Sequence, residues 1–229
     1  MAEQKNARSL DFKTPTARVS YARSLFEARA VDQKDPNSKK KFGATLIFPK
    51  AAMTDPVVVY DGRKLSLQDI VAEVIIAQWG EKGIERAKAG LIKSPFLAGD
   101  GKEARNKTTG ELHPGMGPDV FFIRTQANLE YPPGVYASAT DTIPATQKEV
   151  YSGCFGFGVV NFFAWHDSRN GDGISCGIRA FFKRSDGDKL GGEGGGSPEQ
   201  WLDEKVDGAG PAPESTRSGG GAGSLFGNQ

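Results

Sequence analysis

The chain has 229 residues, 38% of them hydrophobic, with two cysteines, two histidines and a formal net charge of +1. This length fits one domain, or one domain with a tail, and it buries enough apolar surface to fold without a disulfide or metal staple. MAEQKNARSL has no signal-like apolar segment and no run approaches 18 apolar residues, which argues against secretion and membrane spans and for a reducing cytoplasm.

The charge is unevenly placed. Residues 185–229 hold eight acidic side chains against three basic ones, a local −5, which leaves +6 on residues 1–184. A basic body with an acidic arm is an arrangement suited to polyanion binding.

In chain order, residues 1–15 are polar and read as a flexible lead. Tyr21, Leu25 and Phe26 have helical spacing, while the Val and Ser residues around them suit a strand. DQKDPNSKKK follows as a loop turning at Asp35-Pro36-Asn37. FGATLIFPK then alternates Phe42, Ala44, Leu46 and Phe48 inward and stops at Pro49, so residues 16–49 read as strand–loop–strand. Lys39, Lys40 and Lys41 fit a solvated loop or, on a nucleic-acid binder, the rim of a groove.

SLQDIVAEVIIAQWG predicts the main helix. Ser66 is its N-cap, Asp69 stands at the capping-box position, and Leu67, Ile70, Val71, Val74 and Ile75 share one face. Trp79 prolongs that face before Gly80, and GIERAKAGLIK reads as a short second helix. Residues 93–118 lack periodicity and carry Lys93, Lys102, Arg105 and Lys107; a loop this long is functional or mobile. VFFIRTQA reads as a strand, and EYPPGVYASATDTIPATQ as an irregular connection turning at Pro132-Pro133-Gly134.

Residues 149–184, EVYSGCFGFGVVNFFAWHDSRNGDGISCGIRAFFKR, hold two aromatic and β-branched runs around a loop, the pattern of a long β-hairpin. One alternating set is Val150, Cys154, Gly156, Gly158, Val160, Phe162 and Ala164, small and aliphatic, as the inside of a curved barrel requires. The other presents Tyr151, Phe155, Phe157, Asn161, Phe163 and Trp165 outward. On the return run Ser175, Gly177, Arg179, Phe181 and Lys183 are expected outward, with Ile174, Cys176, Ile178, Ala180 and Phe182 inward. Rings interleaved with cations form a platform for unpaired bases and phosphates; the alternative is a sheet buried on both faces.

The chain offers little reactive chemistry. Pairing Trp165 with Ile174 sets Cys154 opposite Ser185 and Cys176 opposite Phe163, too far apart for a zinc site. DSRNGDG has Arg169 where a calcium ligand is needed, and GDGK lacks the spacing of a phosphate loop. Adjacent His166 and Asp167 cannot orient as a triad. No metal, no cofactor and no enzymatic activity are expected, and binding remains. The order of elements is compatible with a mainly β fold, an OB-type five-stranded Greek-key barrel with one main α-helix and long loops.

Beyond Arg184, glycine-rich DGDKLGGEGGGS predicts a disordered acidic arm. Within it Ser197, Pro198 and Gln200 can start a helical turn. The apolar pairs Trp201-Leu202 and Leu225-Phe226 are candidate docking points for partner proteins. The expected division is a flexible lead over 1–15, a DNA-binding domain over 16–184 and a tail over 185–229.

Three groups of residues carry a resemblance: RVSYARSLFEAR with KKFGATLIFPK; LAGDGKE, GMGPDVFFIRTQA and YPPG; and EVYSGCFGFGVVNFFAW with NGDGISCGIRAFFKRSDGDKL. Over about residues 16–190 the chain resembles the phage single-stranded DNA-binding protein family, in its Enc34-type group, and is more distantly similar to the gene 2.5 protein of T7-like phages. Tyr151, Gly153 and Cys154, the run Gly171 to Ile174, and Asp186-Gly187-Asp188 are its most specific pieces. The chain departs from the family pattern at Phe157 and Gly158, and its last residues, Phe226-Gly227-Asn228-Gln229, lack an acidic tip.

The resemblance implies an OB-fold that coats single-stranded DNA without sequence preference during phage replication and recombination, in the host cytoplasm, and a tail that recruits replication proteins. The candidate DNA contacts are Arg18, Arg23, Lys39, Lys40, Lys41, Arg105, Lys107, Arg124, Phe155, Phe157, Phe163, Trp165, Arg179 and Lys183. The pattern alone leaves open an RNA-binding OB domain, or an assembly protein whose aromatic face is a protein interface, and leaves self-association open.

Overall fold

The computed structural model describes residues 6–31, 35 and 37–191. The acidic arm beyond them, with Trp201, Leu202, Leu225 and Phe226, lies outside the described residues.

Strands β1 (Ala17–Ser20), β2 (Thr45–Pro49) and β3 (Val120–Asn128) form an antiparallel meander, and β4 (Phe155–Asp167) and β5 (Gly171–Ser185) form the long hairpin. Two further pairings close the circuit. β4 runs antiparallel to β1, with Phe155 opposite Arg18, and β5 runs parallel to β3, with Cys176 opposite Thr125. The order 1-2-3-5-4 returns to 1, so every barrel strand has a neighbour on both sides. This is the five-stranded oligonucleotide-binding barrel.

The inward-facing residues of the five strands fill the interior. Val19, Leu46, Phe48, Phe121, Ile123, Val160, Phe162, Ala164, Ile174, Cys176, Ile178 and Phe181 are each no more than 4% exposed. Helix α1 (Leu67–Trp79) joins β2 to β3 and carries the expected capping box: the Asp69 N–H donates to Ser66 Oγ at 3.1 Å, and the Ser66 N–H donates to Asp69 Oδ2 at 3.2 Å. Its buried residues, Leu67, Ile70, Val71, Val74 and Ile75, belong to the same core cluster as the barrel interior. Helix α2 (Lys82–Lys88) follows at once. No helix among the described residues is long and apolar enough to cross a membrane.

The hairpin differs from its reading in register and in phase. Trp165 faces Gly173 rather than Ile174, Cys176 faces Phe162 rather than Phe163, and Ser185 faces Phe155 rather than Cys154. The pairing then jumps from Val160–Ile178 to Val159–Ala180, so Arg179 is the extra residue of a β-bulge. One inserted residue moves every later side chain to the other face. Phe181, expected outward, is therefore in the core, and Phe182, expected inward, stacks outside on Phe157 with ring centroids 5.1 Å apart.

Other stretches are more ordered than their composition indicated. Residues 7–14, read as a flexible lead, run antiparallel along β4: the Ala164 N–H donates to Ala7, Ser9 to Phe162 and Thr14 to Gly158, with Phe12 opposite Val160. Residues 16–31 are both strand and helix, β1 followed by a 3-10 turn at Ala22–Leu25. The loop over 93–118 packs against the sheet: Leu97, Leu112 and Met116 seat on Ile47, Ala104 and Phe122 and cover part of the outer face of β2 and β3. In the connection over 130–147, Gly134–Tyr136 adds a short parallel strand to β5.

Candidate nucleic-acid interface

Three neighbouring strands present their outward phase side by side: Asn161, Phe163 and Trp165 on β4; Gly173, Ser175 and Gly177 on β5; Arg124 and Gln126 on β3. The glycines make room for the larger groups. A Cβ on Gly173 would collide with the Trp165 indole, and one on Gly177 would lie 2.8 Å from Asn161 Oδ1. With both positions bare, the indole and the Asn161 amide settle onto the sheet.

Asn161 is 1% exposed and serves as an anchor. Its Oδ1 accepts from Arg8 Nη1 at 3.1 Å and its Nδ2 donates to Asp11 Oδ1 at 2.7 Å. Arg8 is thereby held with its guanidinium carbon 5.0 Å from the centroid of the Phe163 ring. Lys93 Nζ stands 5.7 Å from the Trp165 ring, and Arg179 Nε lies 3.5 Å from Asp11 Oδ2. Phe163 and Trp165 thus each have a cation beside the ring.

A cleft of about 260 Å³ is lined by Arg8, Lys41, Gln126, Tyr131, Phe163 and Arg179. It shares Lys41 and Gln126 with a second cleft of about 420 Å³, which in turn shares Glu103 and Arg124 with a third of about 530 Å³ at Lys93 and Trp165. Together they form one groove across β3, β5 and β4. At its centre Lys41 Nζ donates to Gln126 Oε1 at 2.6 Å. Burial, and secondarily Lys39, lowers the Lys41 pKa from the usual lysine range. Arg124 is held by Glu103, with Nη1 3.0 Å from Oε2 and Nη2 2.9 Å from the Glu103 carbonyl.

The groove gathers five of the sequence-derived candidates: Lys41, Arg124, Phe163, Trp165 and Arg179. Lys39 and Lys40 are exposed beside it, Lys40 in the short strand Lys40–Phe42. Others are engaged elsewhere. Arg18 donates to the Gly153 carbonyl at 3.2 Å and to the Asp188 carbonyl at 2.7 Å. Phe155 is half-buried, with Arg18 on one side and Gly187 against its ring. Phe157, expected outward and open, is 5% exposed because Phe182 and Lys13 cover it. Lys183, expected among the rings, has a side chain only 14% exposed and pairs with Asp186 at 2.6 Å, since the bulge at Arg179 shifts its phase. Arg23 pairs with Glu27 at 2.9 Å, and Arg105 donates to Gly110 within its own loop, where Lys107 is exposed.

Sequence reasoning missed Arg8, Gln126 and Tyr131 as lining residues. Arg8 lies in a polar stretch whose pairing with β4 is made by backbone bonds and leaves no periodic signal. Tyr131 sits in an irregular connection that carries no periodic signal. Among the described residues no group of His, Cys, Asp or Glu side chains is placed to hold a metal ion. Both thiols are buried, and burial raises the pKa of each above the usual cysteine range.

A closed five-stranded barrel carrying a groove of cation-flanked rings defines the class: an oligonucleotide-binding fold. The family described as "Enterobacter phage Enc34, ssDNA-binding protein" matches residues 11–208, and the chain belongs to it. Among solved structures, the single-stranded DNA-binding protein from bacteriophage Enc34 in complex with ssDNA is similar at a TM-score of 0.50 and 17% identity, covering 83% of this chain and 97% of that one. The gp2.5 single-stranded DNA-binding protein of bacteriophage T7 is similar at a TM-score of 0.37 and 11% identity, covering 90% of this chain and 100% of that one. A putative protein p50 of Acyrthosiphon pisum secondary endosymbiont phage 1 is 26% identical over 167 residues, 71% of this chain and 79% of that protein.

Proposed function

We propose that the chain binds single-stranded DNA without base-sequence preference and coats it during phage replication and recombination in the host cytoplasm. The observation that carries this reading is the groove in which Phe163 and Trp165 stand beside Arg8, Lys93 and Arg179. Rings stack on bases of any identity, and the cations follow the phosphates. Membership of a family described as ssDNA-binding proteins supports it. In this reading Lys39, Lys40, Lys41 and Arg124 extend the phosphate track, and the arm beyond residue 191, with Trp201-Leu202 and Leu225-Phe226, engages replication proteins.

The test is an anisotropy titration of labelled oligo-dT of several lengths at stepped salt, with matched oligo-dA and oligo-rU as competitors. Binding that weakens steeply with salt, is shared by dT and dA, and prefers DNA over RNA supports the reading. Salt-insensitive binding, or none, overturns it.

A further inference from the structure

We propose that Tyr21 is a second base-stacking station on the same DNA path, across β3 from Phe163 and Trp165. This inference rests on the proposed binding of single-stranded DNA.

Tyr21 is the one non-glycine among the described residues with positive φ, at φ 56° and ψ 34°. That left-handed backbone disfavours any residue with a Cβ, and a bulky one most. The turn itself has a clear purpose, since it swings the chain from β1 into the 3-10 helix. The Ala22 N–H donates to Ser152 Oγ at 3.1 Å, and Ala22 and Leu25 are buried. A glycine makes the same turn without strain, so the turn does not explain the tyrosine.

The ring does not repay that strain by burial. It is 50% exposed, and its aromatic neighbour is His113, edge-on with centroids 6.3 Å apart. Strain held in place around an exposed aromatic group is characteristic of ligand sites.

Its position gives the ligand. Tyr21 lines the cleft that contains Lys41, Arg124 and Gln126 at the groove's centre, and also an adjoining cleft of about 280 Å³ with Arg23, Arg29 and Ser152. Arg29 lines both clefts and pairs with Lys41 across short strands. A strand stacked on Trp165 and Phe163 therefore meets, beyond Arg124, another exposed ring flanked by guanidinium groups. That is the repeating unit of a single-strand path.

The test compares full-length wild type with Tyr21→Phe, Tyr21→Ala and Tyr21→Gly over a ladder of oligo-dT lengths, with thermal melts of each. Tyr21→Gly separates structure from binding: its melting temperature stays level or rises, while affinity for long oligomers falls on the order of tenfold. Tyr21→Ala shows the same loss and Tyr21→Phe retains binding. Oligomers short enough to occupy Phe163 and Trp165 alone bind all four proteins equally. Wild-type affinity in Tyr21→Gly at every length overturns the proposal, as does a loss of equal size at every length. If wild type binds no oligo-dT, the functional reading itself fails; if wild type binds and the variants match it, only the second station fails.

Discussion

Trp165 lies over Gly173, its direct partner across the β4–β5 hairpin, and the indole occupies the space where a side chain on that glycine would begin. The ring's height above the sheet is therefore set by the residue opposite. Gly173→Ala should lift the indole from its seat, weaken oligo-dT binding by about 1–3 kcal/mol and destabilise the fold by about 1–3 kcal/mol through overpacking. A melt paired with a binding titration checks both. Unchanged affinity despite a displaced indole would place Trp165 outside the DNA path.

Glu103 holds Arg124 in the middle of the groove, where a phosphate is expected. The pair is well exposed, with side chains 40% and 55% accessible, so it contributes only about 0–1 kcal/mol to stability. Glu103→Gln breaks the ion pair, leaves the bond from Nη2 to the residue-103 carbonyl, and removes a carboxylate that repels phosphate. Binding should tighten most at low salt, and the salt slope should steepen by about 0.7 for one added phosphate contact. A slope identical to wild type would show that Arg124 makes no phosphate contact.

Near the hairpin tip, Asp172 accepts from His166 Nδ1 at 2.8 Å and also pairs with Arg86 of α2. The hydrogen bond from His166 first, and that from Arg86 second, hold the Asp172 carboxyl below the usual aspartate range. A pKa depressed in the folded state gives stability that is present above the unfolded value, about 3.9, and lost as pH falls through the folded value. Asp172→Asn should cost about 1–2 kcal/mol near neutral pH, given the exposure of its partners, and the gap to wild type should begin to shrink below about pH 4 and keep shrinking as pH falls through the depressed folded value. A gap that stays constant as the pH is lowered through this acid range would assign the loss to packing rather than charge.

Much of this architecture is legible in the sequence because periodicity records it directly. Ser66 with Asp69 marks the helix start, and the apolar set from Val150 to Ala164 marks the barrel interior. The bulge is not legible, because nothing in GIRAFFKR distinguishes an extra residue from continued alternation. Placing it at Arg179 exchanges the roles of Phe181 and Phe182, and Phe182 then covers Phe157. The N-terminal strand was hidden for a different reason. Its pairing with β4 is carried by backbone bonds from Ala7 to Thr14, and backbone bonds leave no pattern in side-chain type. The half of the hairpin before the bulge keeps the phase that the alternation predicts, and the half beyond it does not.

That division gives the sharpest contrast between two phenylalanines six residues apart on one strand. Phe157 stacks nearly parallel on Phe182, with Lys13 Nζ 4.0 Å from its ring centroid, and is almost inaccessible. Phe163 is half-open to the groove with Arg8 beside it. Phe157→Ala should lower stability by about 3–5 kcal/mol, as for a buried ring, and leave affinity per folded molecule unchanged. Phe163→Ala should do the reverse, leaving the melt within about 1 kcal/mol of wild type and weakening DNA binding by about 1–3 kcal/mol. Arg8→Ala should weaken binding similarly across base compositions and make the salt slope shallower by about 0.7. Because Arg8 sits over the Phe163 ring, the double variant should lose less than the sum of the two single losses. Calorimetric melts and oligo-dT titrations on the same preparations test the set. If Phe157→Ala weakened binding per folded molecule while Phe163→Ala did not, the DNA path would run over the outer surface near Phe182 and Lys13, and the groove across β3, β5 and β4 would not be the binding site.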